Sequence, residues 1–121
     1  MRFTQDLSSN VNVIRGYGHG EIRVNDQVFR HSLIIGPSAI HAESLTDVGG
    51  LTADHAARIL KLDPELVLLG TGQRQVFPDA AFGARFLKAG IGFEVMDTGA
   101  ACRTFNVLVG EQRRVVALLL L

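Results

Sequence analysis

The sequence predicts a mixed α/β fold in one domain spanning residues 1–121, with an amino-terminal β-hairpin layer added to an alternating strand and helix half. Three observations predict it. Apolar and polar residues alternate through the first third of the chain. From Leu51 onward the apolar period lengthens to that of helices. Short continuous apolar runs separate those helical stretches, the last being VVALLLL from Val115 to Leu121.

In the first third, Val11 and Val13, then Ile22 and Val24, then Val28 keep the two-residue period of half-buried strands, and Asn25 with Asp26 forms a two-residue turn between two such runs. GYGHG, Gly16 to Gly20, interrupts the pattern with three glycines, which predicts a bulge or a close approach by another backbone. SLIIGP ends at a Gly-Pro breaker and marks a further strand. Thr52 caps a first helix with Ala53, Ala56, Ala57 and Leu60 on one face, and Asp63-Pro64 stops it. ELVLLG, Glu65 to Gly70, reads as a strand buried on both faces. Pro78 opens a second helix with Phe82, Phe86 and Ala89 inward, ended by Gly90. Ile91 to Met96 is a second buried strand, and Thr98 caps a third helix whose stripe is Ala101, Phe105, Leu108 and Val109, before Gly110. Arg114 to Leu120 is the last strand. Strand, helix, strand, helix, strand requires at least one βαβ unit with a parallel pair.

Composition narrows the function. Charge is balanced at 12 basic and 12 acidic residues with no basic cluster, which argues against nucleic acid and anionic membranes as partners. One cysteine, Cys102, permits no internal disulfide, and MRFTQDLSS lacks the apolar core of a secretory signal, so a reducing cytoplasm is the expected location. VVALLLL is far shorter than the roughly 20 residues of a membrane-spanning helix, and no transmembrane segment is expected. His19, His31, His41 and His55 show no metal-ligand spacing, so neither a metal nor a cofactor is expected.

Two motifs ask for chemistry. VMDTGAACRTFN, Val95 to Asn106, carries the Asp-Thr-Gly of an aspartic protease loop. Such proteases are nearly all β and build a flap and further strands after that loop, whereas a helical period and a short tail follow here. Asp and Thr are also ordinary residues at a strand-to-helix corner, where Asp97 caps or braces the turn. LLGTGQRQVFP sets two glycines after a strand, but Gln75 stands where a dinucleotide-binding loop needs its third glycine, and no Walker A pattern occurs. Successive parallel strands would still deliver Gly70-Thr71-Gly72 and Asp97-Thr98-Gly99 to one sheet edge, where open α/β sheets bind ligands.

Cys102 sits one turn into the third helix, where a helix dipole and Arg103 would favour a thiolate, but its angle puts it beside the buried stripe and no histidine is spaced to serve as its base. The core reading is preferred and no catalytic residue is assigned. Arg103 and Asn106 fall on the polar side of the helix. Arg103 either serves an anion at the helix opening or pairs internally with Glu94 or Asp97, and the nearness of Asp97 favours the internal pair.

ELVLLGTG, Phe77-Pro78, AGIGFEVMDTGAACRTFNVL and the segment from Glu111 to Leu119, with GYGHGEIRVNDQVFRHSLII before them, resemble a small uncharacterised domain family that includes a mitochondrial assembly factor of respiratory complex I. The resemblance covers nearly the whole chain. It implies three layers, with a central mixed sheet, helices and an additional β layer, and it implies no reaction. Phe105 stands where the family pattern prefers tyrosine and Asp26 where it prefers glycine, and the chain has no tryptophan. Carried over residue by residue, the matching positions are Gly70, Thr71, Gly72, Asp97, Thr98, Ala101, Cys102, Arg103 and Asn106, as candidate binding residues. Two functions are then expected to compete. One is a non-enzymatic module that binds another protein, as an assembly factor does. The other is a protein or enzyme that holds a small ligand or anion in the crevice between the two glycine loops, with Asp97 and Arg103 as its polar groups.

Overall fold

A computed structural model describes residues 11–121, and MRFTQDLSS, read above for a secretory signal, lies outside them. The first three strands, β1 (Ile14–Gly18), β2 (Glu21–Val24) and β3 (Gln27–Phe29), form a small antiparallel sheet in that order. The Asn25-Asp26 turn joins β2 to β3 as expected, with Asn25 at φ 53°. GYGHG supplies the other turn: Gly18, His19 and Gly20 all have positive φ, the left-handed backbone that glycine adopts at little cost. The bulge comes earlier, where the register slips between Ile14 and Gly16.

The remaining strands are β4 (Ser32–Gly36), β5 (Ala39–Glu43), β6 (Leu66–Gly70), β7 (Gly92–Met96) and β8 (Val115–Leu119), in the sheet order β5-β4-β8-β6-β7. β8 is parallel to β6, β6 is parallel to β7, and β4 runs antiparallel to both β5 and β8. The sheet is therefore mixed, and the carboxy-terminal apolar run occupies its centre. The sequence pattern missed β5, because AIHAE shows an edge strand's partial burial and lacks a clean alternation.

Three helices, α1 (Ala53–Leu60), α2 (Ala80–Lys88) and α3 (Thr98–Gly110), cover the sheet. Successive residues of the central strands serve opposite cores. Val67, Leu69, Val116, Leu118 and Ile34 face α1 and α2, where Ile59, Phe82 and Phe86 meet them. Leu68, Val115, Ala117, Leu119, Leu33 and Ile35 face α3 and the small sheet, meeting Phe105, Ala101, Ile22 and Val24. A strand buried on both sides has no polar face to expose, which is why these segments read as unbroken apolar runs. The outcome is the three-layer α/β arrangement expected, with α1 and α2 on one side and α3 with the β1–β3 sheet on the other.

Helix starts show both agreement and correction. Thr52 caps α1 in a capping box: its hydroxyl accepts from His55 N–H, and its own N–H donates to His55 Nδ1. His55 Nε2 lies 3.5 Å from the buried Glu43 carboxylate of β5, which Arg58 also engages. Pro78 does not open α2. The cap is Asp79, whose carboxylate accepts from Ala81 N–H, leaving Pro78 just outside the helix. Thr98 likewise does not cap α3. That position belongs to Asp97, and Thr98 is the first helical residue, turned inward. A carboxylate at Asp97 can reach the free N–H of Ala100, while the shorter Thr98 side chain finds partners in the sheet. Finally, β7 is an edge strand with only partial burial, so the segment after Gly90 is not buried on both faces as its apolar run predicts.

Candidate functional site

The parallel pair β6 and β7 does bring the two glycine loops to one end of the sheet, and there they close on each other. Thr71 N–H donates to Met96 O (2.9 Å), Thr98 N–H donates to Gly72 O (2.8 Å), and Gly72 N–H donates to Thr98 Oγ1 (2.7 Å). The same hydroxyl donates to Leu120 O (2.8 Å), tying the end of β8 to the corner. Gly70 explains how the loops approach so closely: a Cβ there would lie 2.9 Å from Thr98 Cα and 3.0 Å from Ala101 Cβ. The Thr71 hydroxyl is likewise engaged, accepting from Val76 N–H and donating to Arg74 O. Gly70, Thr71 and Thr98 are thus internal, and the space expected between the two loops is filled by the Thr98 side chain.

The other candidates lie along α3. The Asp97 carboxylate accepts from Ala100 N–H at 2.8 Å, the bracing role expected of it. Ala101 and Cys102 are buried, Cys102 at 5% exposure. Burial pushes the Cys102 thiol up to about 12, with the Asp97 charge adding to the rise and Arg103 offsetting part of it. The position therefore holds a protonated core thiol. Native labelling by a thiolate-seeking reagent is expected to be slow from neutral pH to about pH 10, and fast after unfolding. Because the thiol binds its proton more tightly in the folded state, its contribution to stability is full below the ordinary value of 9.0 and falls as pH rises toward 12. A melt series across that range checks the sign, and fast native labelling at neutral pH would return the nucleophile to consideration.

Asn106 corrects the polar-face reading. Its amide accepts from Ile14 N–H (2.9 Å) and donates to Ile14 O (2.8 Å), so it pairs with the open edge of β1 as a strand residue would. Arg103 is exposed and makes no ion pair among the described residues, so the internal pairing with Asp97 or Glu94 is not formed. Asp97 has committed its carboxylate to the helix N-terminus. Arg103 instead lines a recess of about 190 Å³ with Arg15, Gly16, Tyr17 and Cys102. The Tyr17 ring and the Arg103 guanidinium sit over the first turn of α3, each 3.5 Å from where a Cβ on Gly99 would be. The Tyr17 phenol is pushed up, first by burial and then by Cys102 and Asp97. Tyr17 and Arg15 were not among the sequence candidates, since they reach the recess only through the docking of β1 on α3.

A second surface was also not foreseen. Phe77, Pro78, Ala84, Leu87, Phe93 and Val95 line an open groove of about 790 Å³ between α2 and β7. Phe77 is 72% exposed and Leu87 61%, large apolar side chains that line the same groove. Leu87 falls outside the inward stripe of α2, and Phe77 sits in the polar loop QRQVFP, so each had a sequence signal but neither had a location. No group of residues able to hold a metal ion occurs among the described residues, and no helix among them is long and apolar enough to cross a membrane.

Comparison with known proteins places this arrangement among relatives. A family model described as protein of unknown function (DUF498/DUF598) matches residues 14–120. A Francisella tularensis protein named 13 kDa major membrane protein is 29% identical over 106 residues, covering 86% of each chain. A Danio rerio protein named NADH dehydrogenase [ubiquinone] 1 alpha subcomplex assembly factor 3 is 30% identical over 118 residues, covering 96% of this chain and 68% of its own. Among solved structures, a Bordetella parapertussis protein superposes with a TM-score of 0.84 at 37% identity, covering 91% of this chain and 95% of that one.

Proposed function

The chain belongs to the DUF498/DUF598 family of proteins of unknown function, the membership that its MDTGAACRTFN core and flanking segments resemble. From that premise we propose that it is a non-enzymatic protein-binding module that works as an assembly factor. The observation that carries this reading is the groove between α2 and β7. Exposed phenylalanine and leucine side chains lining one groove are what a protein interface buries. The two glycine loops, at the edge where open α/β sheets bind ligands, are instead bonded to each other. The assembly role draws its support from the name of the Danio rerio relative, and for this chain it extends to a multi-subunit respiratory complex. On this reading the protein acts in the cytoplasm and reaches a membrane through its partner.

The test is capture of the tagged protein from its own cells with mass spectrometry, comparing the native sequence with Leu87→Asp and Phe77→Asp. Both side chains are exposed, so the variants should melt within about 0.5 kcal/mol of the native protein. A specific partner, with respiratory-complex subunits among the candidates, should be depleted tenfold or more, as expected when an apolar anchor worth about 2 kcal/mol is lost. Undiminished recovery of every partner by both variants would remove the reading.

One observation favours a second function, the binding of a small anion. Arg15 and Arg103 line a single recess beside the α3 N-terminus, and neither has an ion-pair partner among the described residues. Arg103→Ala should then keep near-native stability and lose the chemical-shift response that inorganic phosphate produces at Gly99 and Arg103 in the native protein. No such response at millimolar phosphate would dismiss it.

A further inference from the structure

The groove has an open strand edge along one side, and its chemistry specifies what should bind there. Among the described residues β7 pairs only with β6. Gly92 N–H donates to Glu65 O and Met96 O accepts from Thr71 N–H, so Gly92, Glu94 and Met96 turn their backbone groups toward β6. The alternation of a strand then turns the N–H and C=O of Phe93 and Val95 outward. Val95 O accepts from the Gln75 side chain at 2.9 Å, which agrees with that direction and occupies one end of the edge. Side chains alternate as well. Phe93 and Val95 pack toward α2 and the groove, Met96 packs toward the opposite face, and the exposed Glu94 lies on that same opposite face.

We propose that a partner protein docks by adding a β-strand to β7, and that the strand alternates apolar, basic, apolar. The proposal rests on the protein-binding reading above and names the recognition element. Apolar side chains opposite Phe93 and Val95 drop into the groove against Leu87 and Phe77, while a Lys or Arg opposite Glu94 meets the carboxylate on the other face. Charge favours this occupant: the exposed Glu94 is the charged side chain of β7 itself, while Asp79 at the end of the groove shares an adjoining recess with Arg85. A second copy pairing antiparallel about Glu94 would set two carboxylates directly opposite each other. Glu94 thus guards the edge against self-association and admits a strand that carries a cation.

The test uses the full chain labelled with nitrogen-15 and two capped synthetic peptides, one alternating valine and lysine, the other valine and glutamate. The valine–lysine peptide should shift the amides of Phe93 and Val95 and bind about tenfold tighter than the other, and Glu94→Lys should invert the preference. Val95→Pro removes an outward N–H and no bond to β6, so it should fold and lose the peptide. If that variant does not fold, a valine–lysine peptide N-methylated at alternate residues makes the same deletion on the ligand and should fail to bind. Equal binding of both peptides, an unchanged preference in Glu94→Lys, or shifts confined to other surfaces overturns the proposal. So does a concentration-dependent shift of Phe93 and Val95 without peptide, which would identify a second copy as the occupant. If the peptides fail while Leu87→Asp still loses its cellular partner, the groove binds a protein by another mode. Failure of both experiments removes the protein-binding reading itself.

Discussion

Phe86→Ala is expected to cost about 3–5 kcal/mol, the largest single loss among the substitutions considered. Phe86 is fully buried, its ring stacked on Phe93 at 5.5 Å and set edge-on to Phe82 at 5.3 Å. The surrounding cluster of Ile59, Leu69, Val116 and Leu118 belongs to strands and a helix already packed on each other, so the void cannot collapse freely. Gly83 adds to the constraint: a Cβ there would stand 2.7 Å from the Phe93 ring, so that ring is already pressed onto the α2 backbone. Urea melts of the variant beside Phe77→Ala provide the check. Phe77 is an exposed aromatic of the same size, and its loss should leave the midpoint nearly unchanged. A cost for Phe86→Ala under about 1.5 kcal/mol would mean that the cluster repacks and is less rigid than its geometry indicates.

Thr98→Val is expected to cost about 2–4 kcal/mol although it changes the shape of the side chain hardly at all. The valine leaves Leu120 O without its buried donor and Gly72 N–H without its part-buried acceptor, and each unmet group carries its own desolvation penalty. Thr98→Ser keeps the hydroxyl and should recover most of the loss. Hydrogen exchange at Gly72 adds a local reading: the amide should be protected in the native protein and in the serine variant, and should exchange faster in the valine variant. A valine variant as stable as native would show that water replaces the hydroxyl, and that the two loops are less closed than described.

Both variants bear on how far the sequence could be read. The helices were legible because their apolar faces recur at helical spacing and their ends carry Thr52, Gly90 and Gly110. The central strands were legible because burial on both faces makes a run such as LVLLG or VVALL continuously apolar. The edge strand β5 was not, and β7 was read as more buried than it is, because an edge position is a property of the sheet order and not of the segment itself. At the helix starts, Pro78 was expected where Asp79 caps, and Asp97 and Thr98 stood together as candidates at the DTG corner. Only the sheet decided between Asp97 and Thr98, by offering Thr98 the carbonyl of Leu120.

The sequence by itself determined the α/β class, the apolar tail as a last strand and the meeting of the GTG and DTG loops at one sheet edge, because each follows from periodicity and from parallel connection. Tertiary structure decided what those loops do there. Gly70 permits a backbone approach close enough for Thr98 to bond both Gly72 and Leu120, and the space that a ligand would need becomes interior. It also decided that Asn106 pairs with Ile14, that Arg103 lines a recess beside Tyr17, and that Phe77 and Leu87 share one groove on the β7 edge. The physical reason is common to all of these. Local spacing fixes which way a side chain leaves its own element, but a contact between residues far apart in the chain exists only once the layers have packed.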